Sequence, residues 1–247
     1  MHNLSHPSIH NPARMAILFI DIETVPQAEK YADLTEKEQS LWNHKASFLT
    51  KTDETAEEIY QRAGIYAEFG KIVVVSLGWM FGNEENRKLR VTTLADENES
   101  KLLSELISIL QKVEDTNSVI CGHNIKEFDI PYICRRILVN GLKLPSVLDV
   151  STMKPWQTPY LDTLEMWKFG DRKHYTKLDL LAHIFDLPTS KDDIDGSQVY
   201  EVYYEEGDLR RIADYCEKDV VLTCQLYLKM NGQPILQEEQ IIKVKDE

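Results

Sequence analysis

The stretch that most limits the fold is residues 16–24, AILFIDIET, a short apolar run closing on two carboxylates one residue apart. Residues i and i+2 of a strand point to the same side, so a strand here stands Asp21 and Glu23 side by side at its end. Two acids that close repel unless a cation lies between them or one keeps its proton. A strand running into a plain acidic turn satisfies the same pattern, and the rest of the chain has to decide between the two.

With 247 residues the chain is long enough for a full core, and one domain carrying a sizeable insertion is expected. No apolar run approaches the length of a membrane span, so no membrane partner is expected. Residues 1–14 are polar, lack the apolar core of a signal peptide and are expected to be a flexible segment, with Met15 an equally good start. The four cysteines, Cys121, Cys134, Cys216 and Cys224, form no CxxC pair and sit in apolar segments. Reduced, buried thiols and a cytoplasmic location follow as the expectation. Forty-one acids against 28 bases leave a net charge of −13, which argues against a broad electrostatic hold on nucleic acid. A local site whose positive charge comes from metal ions remains compatible with it.

Residues 25–70 are polar, with helix-like spacing of Leu41, Trp42, Phe48, Ile59 and Tyr60; about two helices inserted between the first two strands are expected. Residues 71–81 (KIVVVSLGWMF) and 87–94 read as a hairpin across the 82–86 turn. Asp96 to Glu99 has the form of a capping box, opening a helix to about Val113 with Leu102, Leu103, Leu106, Ile107 and Leu110 as its buried stripe. A short strand at 118–122 leads to a helix at about 128–139 that ends at Asn140-Gly141. A strand is expected at either 147–150 or 160–163. A helix at 176–186, a loop at 188–196 and a partly helical link at 198–205 precede a long helix, capped by Asp208, that runs to about Met230. Residues 233–247 are expected to be a loose tail. Strand, hairpin, helix, strand, helix, strand, helices is the order of an α/β protein with a mixed sheet flanked by helices.

Two further acids sit in suggestive settings. In GHNIKEFD, Asp129 falls in the first turn of a helix after a strand, where free amides and the helix dipole stabilise an anion; a plain helix cap explains it equally well. In YCEKD, Tyr215 and Asp219 are four apart and share one face of the last helix. An acid beside apolar neighbours such as Ile212, Cys216, Val220 and Leu222 is costly unless paired or metal-bound, and a salt bridge to a nearby base is the alternative.

Taken together, Asp21-Ile22-Glu23-Thr24, Asn124 through Phe128-Asp129, and Tyr215 through Asp219 resemble the three motifs of the DEDD superfamily of 3′–5′ exonucleases. The tyrosine four before the last acid marks the tyrosine-bearing branch. The forms NxxxFD and YCxxD, and the loop KDDIDGS at 191–197, are similar to the proofreading exonuclease domain of family-B DNA polymerases. The resemblance spans about residues 16–230 and implies a ribonuclease H-like domain at 15–232, a five-stranded mixed sheet with the insertion at 25–70, standing alone without a polymerase. It implies two Mg²⁺ or Mn²⁺ ions held by Asp21, Glu23, Asp129 and Asp219, with Asp21 bridging and Tyr215 orienting the attacking water. Thr24, Asn124, Phe128 and Lys191 are the candidate substrate contacts. The implied substrate is the 3′ end of single-stranded DNA in repair or proofreading, the alternatives being short RNA or a non-catalytic nucleic-acid-binding module; a polymerase or repair partner is left open. The insertion and the acidity depart from the family pattern and point to short single-stranded ends rather than long duplex.

Overall fold

The computed structural model describes residues 16–49, 54–116, 118–171, 175–188 and 193–244. Six strands form one mixed sheet in the order β5-β4-β1-β2-β3-β6. They are β1 (Ile17–Pro26), β2 (Gly70–Phe81), β3 (Lys88–Ala95), β4 (Val119–Gly122), β5 (Leu161–Asp162) and β6 (Ile241–Lys243). β1, β2 and β3 are antiparallel neighbours, whereas β4 runs parallel to β1, β5 to β4 and β6 to β3. The choice between two positions for the fifth strand falls on Leu161–Asp162; Ser146–Leu148 is a 3-10 turn instead.

The expected five strands are six, because the described part of the tail, up to Val244, is not loose. Leu236 is buried, and its N–H and C=O exchange hydrogen bonds of 2.8 Å with the Gln225 side chain on the last helix. Gln240 donates to the Arg87 carbonyl at 2.8 Å, and Ile241–Lys243 then pairs with the outer edge of β3. Charged composition suggested a frayed end, but unpaired backbone at a sheet edge is a strong template for another strand. The expected flexible segment at 1–14 lies outside the described residues.

β1 explains how the layers form. Leu18, Ile20 and Ile22 face one side, packing with Leu102, Leu106 and Leu110 of α2 (Glu99–Asp115) and Ile133 and Ile137 of α3 (Asp129–Val139). Ile17 and Phe19 face the other, against Val220, Cys224 and Leu228. These three lie on the long helix that is α7 in chain order, Leu209–Met230, spaced every four residues down one helix face. Each fully buried side chain of this size stabilises by roughly 1.5–3 kcal/mol. A one-residue slip of β1 would exchange its two apolar sets between unlike cores and turn Asp21 into the opposite one, so the register is tightly specified.

The insertion builds a small core of its own. α1 (Glu36–Ala46), capped by a Thr35–Glu38 box, buries Trp42 and Ala46 against Ile59 and, from the 3-10 turn Tyr60–Ile65 that follows it, Tyr60 and Ala63. The Trp42 indole N–H donates to the Ala56 carbonyl at 2.7 Å. Leu41 and Phe48, which share the helix-like spacing, are 48% and 75% exposed; α1 is short, and only one narrow stripe of it finds a partner. The insertion's root is clamped: Tyr132 of α3 donates to the Gly64 carbonyl at 2.7 Å, and a side chain at Gly70 would collide with that phenol and with the Gly64 backbone. The remaining helices are α4 (Thr163–Lys168), α5 (Leu178–Ile184) and α6 (Val199–Glu201), the last running into a π turn at Val202–Glu206. Tyr200 and Tyr204 from that segment donate to the Glu29 and Pro26 carbonyls at 2.6 Å. No helix among the described residues is long and apolar enough to cross a membrane.

Candidate active site

Positions 17 and 19 of β1 face α7, and the alternation carries 21 and 23 to the same side. There the helix stripe that packed with Val220 and Cys224 continues to Cys216, flanked by Tyr215 and Asp219. β4 pairs with β1 only at Ile17–Phe19, so the β1 edge beyond it is open on that side. Asp129, at the start of α3, fills the opening: its carboxylate accepts from its own amide and from the Ile22 amide, and it is buried. The result is a cleft of about 530 Å³ with Asp21, Glu23, Asp129, Asp219 and Tyr215 in its lining. It lies where ligand sites of open α/β sheets are found, outside the carboxyl ends of the strands.

The electrostatics of this cleft is strained. Burial, then the charges of Asp129, Asp219 and Glu23, push the Asp21 carboxyl well above the usual carboxylate range. Burial, Asp219 and Asp129 do the same to Glu23. Asp129 is pushed up to about 7, chiefly by burial, although two backbone amides pull it back. Tyr215 donates its hydroxyl to Asp219, and burial followed by the Asp219 and Glu23 charges holds that proton firmly on the phenol. Among the described residues, no lysine or arginine forms an ion pair with Asp21, Glu23 or Asp129.

The donor set fits hard divalent cations. Oxygens of Asp21 and Glu23 lie within 4.8 Å of each other and of the Cys216 sulfur. Burial pushes that thiol up, and the carboxylates supply oxygen, the ligand type suited to Mg²⁺ or Mn²⁺. A cation would relieve the repulsion that burial has built up.

The substrate candidates divide. Asn124 and Phe128 line the cleft, with Asn124 in the left-handed region at φ 61° and Phe128 stacked at a tilt on Tyr132, centroids 5.5 Å apart. Thr24 is not in the cleft lining; its hydroxyl bonds to the Tyr132 phenol instead. A bulge in the pairing between Glu23 and Thr24 shifts the register there. Lys191 lies outside the described residues. His123 is no ligand in waiting: Nδ1 meets Thr163 Oγ1 at 2.9 Å and Nε2 meets the Thr176 carbonyl at 3.1 Å.

Asp162 escaped sequence reasoning. Buried at the end of β5, it caps α4 through Leu164 N–H at 2.9 Å and accepts from the Asn124 and Lys126 amides at 3.0 and 3.2 Å. It thereby shapes the turn that presents Asn124 and Asp129. The only local signal is the D-x-x-E form of Asp162 and Glu165, which predicts a helix cap and nothing of the long-range bonds. Ile65, from the insertion, and Tyr175 also line the cleft without belonging to any motif.

With the geometry in place, comparison with known proteins is direct. The family described as "Predicted 3'-5' exonuclease related to the exonuclease domain of PolB" matches residues 65–240, and the chain belongs to that family. A DNA polymerase 1 of Pyrococcus abyssi is 24% identical over 250 residues, covering 91% of this chain and 30% of the polymerase. A DNA polymerase of Pyrococcus horikoshii is 26% identical over 250 residues, covering 91% of this chain and 19% of that protein. In fold, the chain is similar to the family B DNA polymerase from the hyperthermophilic archaeon Pyrobaculum calidifontis, with a TM-score of 0.53 at 16% identity over 88% of this chain and 24% of that one. The chain thus spans less than a third of the length of each. The mixed α/β sheet is consistent with the ribonuclease H-like arrangement.

Proposed function

We propose that this chain is a metal-dependent 3′–5′ exonuclease of the tyrosine-bearing DEDD branch, acting on the 3′ ends of single-stranded DNA in repair or proofreading. The observation that carries the reading is the convergence of Asp21, Glu23, Asp129 and Asp219 with Tyr215 on one cleft, with three of the acids lacking any basic partner among the described residues. Membership of the exonuclease family and likeness to DNA polymerases favour DNA over RNA as the substrate.

In this reading Asp21, Glu23, Asp129 and Asp219 hold two Mg²⁺ or Mn²⁺ ions. Such a pair, when bound, supplies a nucleophilic water at neutral pH and neutralises charge on the attacking and leaving oxygens. The chain's own groups do the rest. Tyr215 keeps its proton and is held toward Asp219, so its duty is to orient a water rather than to remove a proton from it. Asn124 and Phe128, on the cleft wall, are placed to meet the terminal nucleotide, Phe128 through its ring face. The acidic surface leaves little general attraction for duplex, which suits short, frayed ends.

The test is incubation with 5′-labelled and 3′-labelled single strands of DNA and of RNA, with Mn²⁺, with Mg²⁺ and with chelator, beside Asp219→Asn. Stepwise shortening of 5′-labelled DNA that needs metal and Asp219 is the expected result. Preferential shortening of RNA would move the substrate to RNA, and binding without cleavage would leave a nucleic-acid-binding module.

A further inference from the structure

Cys216 lies directly beneath the acids, fully buried on α7. Its sulfur is 3.3 Å from Asp21 Oδ2 and 3.4 Å from the Asp21 carbonyl oxygen. Behind it, β2 places Ser76 opposite Asp21 in the strand pairing, and the Ser76 hydroxyl approaches the same thiol. Ser76 is itself fully buried and shares a hydrogen bond of 2.9 Å with Thr93 on β3. With Ser76 donating to sulfur, Thr93 donates to Ser76, and the thiol hydrogen is left for Asp21. A run of small polar side chains from β3 through β2 to α7 thus ends on Asp21, with the carboxylate Oδ2 the nearer of its two acceptors.

An apolar residue would pack as well in this place and would bring no donor to Asp21. A serine hydroxyl in the same place would be a shorter, stronger donor. The thiol offers a weak one, able to fix the carboxylate's orientation without tying up its lone pairs. We propose that Cys216 is a positioning residue: its S–H, oriented by Ser76, holds Asp21 Oδ2 and so fixes the orientation of that carboxylate in the cleft. The proposal rests on the metal-dependent exonuclease reading for its effect on turnover, but not for the hydrogen bond itself. Partners that orient metal-ligating carboxylates typically matter by about 10–100-fold in metal affinity or activity.

Two measurements test it. In metal-free protein, the S–H stretching band of Cys216, isolated as the difference between wild type and Cys216→Ala, should shift to higher wavenumber when Asp21 is changed to alanine. A band that Asp21→Ala leaves in place would overturn the proposal, whatever the enzyme does. In the metal-loaded protein, Cys216→Ala should raise the Mn²⁺ concentration for half-maximal hydrolysis and lower kcat by about 10–100-fold, with KM for DNA unchanged, while Cys216→Ser, which keeps a donor, restores most of the loss. Equal losses in the two variants, or a loss confined to KM, would also overturn it. A wild type that hydrolyses nothing defeats the exonuclease reading alone, because the metal-free band still decides the contact.

Discussion

A buried acid and a half-buried one lie on either side of the same sheet, and they are solved in opposite ways. Glu99, at the start of α2, accepts from Arg136 at 2.6 and 2.9 Å, from the Ile72 amide at 2.8 Å and from Asn140 at 2.9 Å. Every lone-pair direction of that carboxylate faces a donor, and Arg136 also reaches the Ala67 carbonyl at 2.9 Å, tying the insertion to the core. Asp21 has a thiol hydrogen bond and three acidic neighbours. An acid embedded for the fold is surrounded by donors that belong to the chain. The acids of the cleft are gathered against their own repulsion, a cost that makes sense where the compensating charge comes from outside.

Changes at the two sites should therefore act in opposite directions. The largest effect expected is on turnover: Asp21→Asn should reduce hydrolysis to background in the labelled-strand assay, yet raise the melting temperature of the metal-free protein by removing a repelling charge. Next comes Arg136→Met, which strands Glu99 in the core and should destabilise by about 3–5 kcal/mol, measured by urea unfolding. Hydrolysis per folded molecule should survive that change. If instead Asp21→Asn destabilised and Arg136→Met did not, the contrast between the sites would be broken.

Smaller, but more diagnostic, is the response to metal. Mn²⁺ at about a hundred times its dissociation constant should add roughly 2.7 kcal/mol of stability by mass action, read as a rise in melting temperature that Asp21→Asn blunts and Arg136→Met leaves intact. The mildest effect is that of pH. Asp21, Glu23 and Asp129 have raised pKa values in the folded state, so between the ordinary carboxylate range and about 7 the folded protein retains protons that the unfolded chain has released. The metal-free protein should thus lose stability as pH rises through that window. Asp129→Asn should flatten the slope, and saturating Mn²⁺ should abolish it; melting scans across pH in chelator check both.

How much of this was legible in the residues follows from the range of each interaction. The 16–24 and 71–81 strands, the 99–115 and 209–230 helices and the three acidic motifs declare themselves through period and spacing, which are local properties. Glu99 shows where that stops. Its neighbours give it the appearance of a capping-box acid, but Asn98 caps the helix by accepting from the Lys101 amide, and Glu99 turns inward to a guanidinium 37 positions away. Asp162 is the same lesson in reverse: a residue that reads as an ordinary cap also holds the turn carrying Asn124. The tail misled because its charges describe solvent exposure of side chains, whereas β6 is recruited through backbone groups that composition does not record.

By itself, then, the sequence determined which residue types stand at which period: an apolar strand with two acids on one side, a helix with Tyr215 and Asp219 one turn apart, and an acid opening another helix. Only the folded chain decided that these faces meet. Strand alternation and helical pitch fix the direction of a side chain relative to its own element, but the approach of one element to another is set by core packing. Here that means Phe19 against Val220 and Cys224 on one side of β1, and Leu18 and Ile20 against α2 and α3 on the other. The same packing that buries those side chains leaves the acids beside them facing one another across the cleft.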